Sequence, residues 1–306
     1  MKTFKLFFVL AIGLIMFQNS AMAQNEPAVD STGLPGDNFD LQGALQMFQD
    51  AASVEDFEKA INTEGNHVNN LDLDGDGDID YVQVVSKMEK DVHAFILQVA
   101  VSEKETQDIA VIELEKTGNE TAMIQIVGDE DIYGEQTIVE PDGGGYESAF
   151  LDFNINSNQS GPNPSFEKNI SGIVINVWLW PSVRFVYAPG YRLWVSPWRW
   201  HHYPGWWKPW KPYKWHVWHP YRVHHHRSFV VVHTHRAINA HRVYTPYRSF
   251  SPVVKTRHSV AVNHYRVTRS KTTVTGPRGR TTTVKKTTVT GPRGNKATKT
   301  RVKRHN

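Results

Sequence analysis

The chain has 306 residues and no cysteine, which excludes a disulfide framework and lipid attachment at a mature N-terminal cysteine. Its net charge of +3 conceals a partition: all 31 acidic residues lie at or before Glu167, while 26 of the 34 Lys and Arg lie from Asn169 onward. Asymmetry of this size points to two units with different partners, or to halves that partner each other.

Residues 1–23 read as a secretory signal peptide, with Lys2 and Lys5, the apolar stretch Leu6–Phe17 and the small-x-small site Ala21-Met22-Ala23. The apolar run is shorter than the about 20 residues that a bilayer span needs. The expectation is an exported protein, either periplasmic or outer-membrane-associated or extracellular. Without disulfides it has to hold itself by core packing, metal or partners. Residues 24–36 form a polar leader expected to stay loose.

Residues 37–141 carry the acidic unit. Asp40 is placed to cap a helix with Leu41, Ala44, Leu45 and Phe48 at i, i+3, i+4, i+7 spacing. Ser53 followed by Asp56 resembles a capping box and opens a second short helix with Val54, Phe57, Ala60 and Ile61 on one face. Strand-like runs follow at Ile79–Lys87, Val92–Val101, Ile109–Glu115, Ala122–Val127 and Glu135–Val139, divided by short polar turns. The expected fold class is α+β, two short helices packed on an antiparallel meander.

Between the helices and the first strand stands NNLDLDGDGDIDYVQVV, Asn69–Val85. Asp72, Asp74, Asp76, Asp78 and Asp80 alternate, with Gly77 at the sharp-turn position. Calcium takes several hard oxygen ligands at about 2.4 Å, and alternate loop residues can aim carboxylates inward, with Asp78 contributing its backbone carbonyl. This stretch resembles the calcium loops of EF-hands, dockerins and integrin-type blades. Position 12 is Gln83 instead of a bidentate Glu, and a strand follows where an EF-hand has a helix. Those departures imply a structural Ca²⁺ site of extracellular type rather than a sensor, against the alternative of a solvated acidic turn. A second acidic turn, Asp129-Glu130-Asp131 with Glu135, reads either as part of the same shell or as plain surface.

Residues 142–168 read as a linker, rich in Gly, Asn and Ser. Residues 169–250 change character: all ten tryptophans fall between Trp178 and Trp218, and recurring prolines favour extended or irregular chain over helix. The rings read either as a binding surface or as packing, in a small β unit of their own or over the N-terminal sheet. Arg184, Arg192, Arg199, Lys208, Lys211 and Lys214 interleave with them as candidate polyanion contacts. His224, His225, His226, His233 and His235 are candidate ligands for Zn²⁺ or Cu²⁺, although no carboxylate stands near them in sequence. Residues 251–306 form a basic, low-complexity tail in which KTTVTGPRG occurs twice, read as disordered or as small hairpins.

No G-x-S-x-G, H-E-x-x-H, phosphate loop or cysteine nucleophile is present, so no enzyme is expected. As a whole the chain resembles uncharacterised exported proteins of Gram-negative bacteria that pair an acidic domain with a Trp-, His- and Arg-rich tail. That resemblance implies a compartment and no activity. The expected function is a non-enzymatic cell-envelope protein, stabilised by calcium, whose basic aromatic half adheres to anionic polysaccharide, lipopolysaccharide or an anionic membrane surface. Export argues against intracellular nucleic acid. The alternatives are a structural or assembly protein whose acidic and basic halves bind each other in cis or in trans, and a His-rich periplasmic metal-binding protein.

Overall fold

The structure, a computed structural model, describes residues 31–142, 174–222, 225, 228–275, 281–290 and 296–305. The expected signal peptide (1–23), nearly all of the expected linker (142–168), His224, His226 and both Gly-Pro-Arg-Gly turns lie outside them.

Helix α1 (Leu41–Asp50) starts where the Asp40 carboxylate accepts the Gln42 N–H, and α2 (Val54–Ile61) where Ser53 Oγ accepts the Asp56 N–H. Each cap satisfies a backbone donor that the first helical turn leaves over, worth about 1 kcal/mol. Leu41, Ala44, Leu45 and Phe48 of α1 and Val54, Phe57 and Ile61 of α2 are all buried. The leader is packed from its end: Thr32 and Leu34, expected to be loose, are buried as well.

Five strands follow as an antiparallel meander: β1 (Val82–Glu89), β2 (Val92–Ala100), β3 (Thr106–Gly118), β4 (Thr121–Gly128) and, after the single-turn helix α3 (Glu130–Tyr133), β5 (Thr137–Pro141). The second half then contributes α4 (Pro181–Val186), α5 (Trp215–Arg222) and a sixth strand, β6 (Phe229–Val232). Strand β6 pairs with β5 in antiparallel register, Ile138 opposite Val232 and Pro141 opposite Phe229. The fold is α+β, with one six-stranded antiparallel sheet in chain order.

Both faces of that sheet are buried. On one, Val84, Phe95, Leu97, Ile112, Leu114, Ile124 and Ile126 meet α1 and α2 in the main core. On the other, Ala94, Ile96, Val111, Val127, Ile138, Val230 and Val232 pack with Tyr244 of α6 (Ile238–Tyr244). Two-sided burial accounts for strands such as FILQV and IAVIELE, whose apolar residues occupy both alternations.

The tryptophan segment covers the N-terminal sheet, one of the two packing arrangements expected. The Ser86 N–H donates to the Trp194 carbonyl at 2.8 Å and the Ser196 N–H to the Val84 carbonyl at 3.0 Å. These bonds occupy the outer edge of β1, which would otherwise offer free backbone groups to another chain. Trp178, Trp180 and Trp194 pack against the main core, while Trp207 and Trp218 are buried. Helix α7 (Pro252–His264) leads to β7 (Arg266–Thr275), β8 (Thr281–Thr290) and β9 (Lys296–His305), a second antiparallel sheet. The strand-forming Thr and Val of the two KTTVTGPRG copies fall in β7 and β8. Among the described residues no helix is long and apolar enough to cross a membrane.

Candidate functional site

The aspartate loop closes on itself through its own side chains. Asp74 Oδ1 accepts the Asp76 N–H at 3.0 Å, Asp72 Oδ2 the Gly77 N–H at 3.1 Å and Asp76 Oδ1 the Asp78 N–H at 2.8 Å. Gly75 and Gly77 take positive φ values of 73° and 84°, which side-chain-bearing residues rarely adopt. Asp80, two residues before β1, accepts the Leu73 N–H at 2.5 Å. One carboxylate oxygen from each of Asp72, Asp74 and Asp80 lies within 4.8 Å of the others.

The donor set fits a hard cation. Asp72 Oδ1 is buried and has no hydrogen-bond partner among the described residues, so one oxygen of the trio has no assigned role. Burial raises the pKa of Asp80 to about 8, with Asp74 and Asp72 adding to the rise and the Leu73 hydrogen bond opposing it. Burial likewise raises the Asp72 pKa. Burial and mutual repulsion favour the protonated form of these carboxyls, and a bound calcium ion would offset both. Asp76 and Asp78 stand outside this trio; the Asp78 carboxylate instead pairs with Lys211 at 2.8 Å on the surface. Gln83, at the twelfth position, is committed elsewhere, donating to the Trp198 carbonyl at 2.8 Å.

The basic half reaches this loop directly. Lys211 holds Asp78, the Arg257 guanidinium donates to the Leu73 carbonyl, and the Ile79 N–H donates to the Trp210 carbonyl at 2.8 Å. The other five candidate polyanion contacts, Arg184, Arg192, Arg199, Lys208 and Lys214, are exposed, and none makes a salt bridge among the described residues.

The acidic turn at 129–131 belongs to another contact. Asp129 caps α3, and Arg248 binds Asp129 through Nε (2.7 Å) and Nη2 (3.0 Å) and Asp131 through Nη2 (2.9 Å).

The candidate histidines divide. His225 Nδ1 lies 2.8 Å from Oδ2 of the fully buried Asp40, at the start of α1. Gly43 leaves the space for this, since a Cβ there would come within 2.7 Å of His225 Nδ1. His235 Nε2 lies 2.5 Å from Glu113 Oε2, while His233 is exposed. The sequence places no carboxylate near these histidines, but the fold does, because β6 brings them alongside the acidic strands. Glu113 and His241, which complete the His235 cluster, were not among the sequence candidates. The available signal was Glu113 itself, a carboxylate on the same alternation as Val111 in a strand apolar on both faces.

Comparison with family models, curated proteins and solved structures returned no match. The geometry therefore carries the functional reading.

Proposed function

We propose that this is a non-enzymatic exported envelope protein, a calcium-clipped α+β body that presents a basic, aromatic surface and tail to an anionic envelope polymer. The observation that carries the reading is how the cations are distributed. Arg236, Arg248 and Lys255 pair with carboxylates of the acidic half, whereas Arg184, Arg192, Arg199, Lys208 and Lys214 stand exposed without such partners among the described residues. Beyond Tyr265 there are 13 Lys and Arg and no acid at all. A cationic surface of this kind attracts phosphate- or carboxylate-bearing polymers, and salt weakens the attraction.

The test is retention of the mature protein on immobilised lipopolysaccharide and on acidic polysaccharide, over a salt series, with and without residues 266–306. Retention that falls with salt and drops on truncation supports the proposal. Retention indifferent to both overturns it.

A second reading, a structural or assembly protein whose halves recognise each other, draws on the β5–β6 pairing and the Arg248–Asp129 contact. Coexpressed 24–142 and 174–306 fragments that fail to associate at low salt would remove it.

A further inference from the structure

On the reverse face of the sheet a buried carboxylate meets two histidines, at a place that neither the aspartate loop nor the exposed basic residues use. Glu113 lies on β3 with Ala94 of β2 and Gln125 of β4 as its register neighbours, and its side chain is wholly buried. Its two oxygens are divided between two rings. Oε2 lies 2.5 Å from His235 Nε2, and Oε1 lies 2.7 Å from His241 Nδ1. The rings stand edge to face with centroids 4.5 Å apart, and one ligand atom from each of the three residues lies within 4.8 Å of the others. Among the described residues, the Glu113 carboxylate has no other hydrogen-bond partner.

Taking a carboxylate fully out of water is unfavourable unless its charge is matched. Two neutral imidazoles donate one N–H each and leave the negative charge in place, so either a protonated ring or a bound cation has to match it. A divalent ion between the three groups neutralises it, with both facing nitrogens deprotonated and acting as ligands. Imidazole nitrogen with one carboxylate oxygen suits a borderline ion such as Zn²⁺ or Cu²⁺ and is a poor set for Ca²⁺. Two His and one carboxylate also leave coordination positions for water.

The surroundings hold both rings in place without supplying ligands. Gln125 Oε1 accepts the N–H groups of Arg236 (2.7 Å) and Ala237 (3.2 Å), and its Nε2 donates to Glu140 (2.9 Å) and to the Thr234 carbonyl (3.0 Å). The backbone on both sides of His235 is thereby tied to β4. Glu115, two residues beyond Glu113, accepts Asn239 Nδ2 at 3.0 Å and the Ala240 N–H at 2.8 Å, which fixes the turn of α6 that carries His241. Preorganised supports of this kind orient metal-binding imidazoles. The His235 and His241 side chains are 16% and 34% exposed, so an ion can enter from solvent.

We propose that Glu113, His235 and His241 bind one divalent transition-metal ion, which fastens α6 to the reverse face of the sheet. The proposal is independent of the calcium loop, and its test is arranged to keep the two apart.

The full mature chain is titrated with Zn²⁺ against a chromogenic chelator, as wild type, Asp72→Asn and His241→Gln. Histidines elsewhere in the chain contribute equally to all three, so the difference between variants is the readout. Wild type and Asp72→Asn are expected to retain one equivalent more than His241→Gln. Equal uptake by wild type and His241→Gln overturns the proposal. Should His241→Gln lose its fold by circular dichroism, the wild type decides alone. A melting temperature that rises on adding one equivalent of Zn²⁺ supports the site, and one that does not move overturns it.

Discussion

The indole Nε1 of Trp194 donates to Glu58 Oε2 at 2.8 Å, joining the tryptophan segment to helix α2 across 136 residues. The same carboxylate accepts Ser196 Oγ at 2.8 Å, the Tyr81 hydroxyl at 2.9 Å and the Val84 N–H at 2.9 Å. Burial raises the Glu58 pKa, and these four hydrogen bonds pull against the rise. One side chain thus ties α2, the start of the sheet and the segment that covers its edge.

Glu58→Ala would leave four donors without their acceptor in a closed interior. The expected loss is about 3–5 kcal/mol of unfolding free energy by urea denaturation. A loss below about 1 kcal/mol would mean that water replaces the carboxylate, and the staple would have no energetic meaning.

Calcium is expected to raise the melting temperature of the wild type and leave Asp72→Ala unchanged. At ten to a hundred times its dissociation constant, the ion adds about 1.4–2.7 kcal/mol. Burial holds the Asp72 and Asp80 carboxyls above their ordinary range, so protons compete for the same oxygens and the calcium effect grows with pH. Calorimetry with and without chelator checks this; an equal rise in Asp72→Ala would detach the effect from the loop.

Asp108 gives a separate pH dependence. Burial pushes its pKa from 3.8 to about 7, Asp129 adds to the rise, and the bonds from Ser249 N–H and the Tyr244 hydroxyl oppose it. The folded state therefore holds this proton more tightly than the unfolded chain. Its stabilising contribution is complete below about pH 4 and is lost as pH rises through about 7. Wild type should lose stability relative to Asp108→Asn across that window, by an amount on the order of 4 kcal/mol. Chemical denaturation of both proteins at several pH values measures the slope, and parallel curves would refute it.

Arg248→Met removes the cation that faces the buried Asp129 carboxylate in a two-point contact. About 3 kcal/mol of stability should go at neutral pH, because a buried charge loses its partner. Burial raises the Asp129 pKa and Arg248 lowers it, so without Arg248 it rises further. The penalty accordingly shrinks as acid protonates that carboxyl. A penalty that stays constant from neutral pH into acid would show that Asp129 is not its source.

What could be read from the sequence was local. Asp40 and Ser53 announce their helices because a cap acts within three residues, and the five meander strands show themselves by apolar runs and polar turns. FVVVHTHR reads as a strand with His233 and His235 on one face; the strand is Phe229–Val232 and ends before both histidines, and nothing within the run states that Pro141 is its partner. Glu113 and His241 meet for the same reason, through a docking of distant segments that no spacing encodes. The aspartate loop was legible as a cluster, but that Asp80 turns in beside Asp72 and Asp74 while Asp78 faces Lys211 depends on the packing of distant segments around it.

The pairing of β6 with β5 also governs the order in which this chain can be completed. During synthesis, the edge at Thr137–Pro141 emerges before the strand that covers it, which is encoded beyond the whole tryptophan segment. Until Phe229 arrives, that edge is an open template for another chain, and the reverse face lacks Tyr244. The sheet of the acidic half is thus covered at this edge only once the basic half has been made. The abundance of folded protein should therefore depend on whatever keeps the nascent chain apart from its copies during that interval.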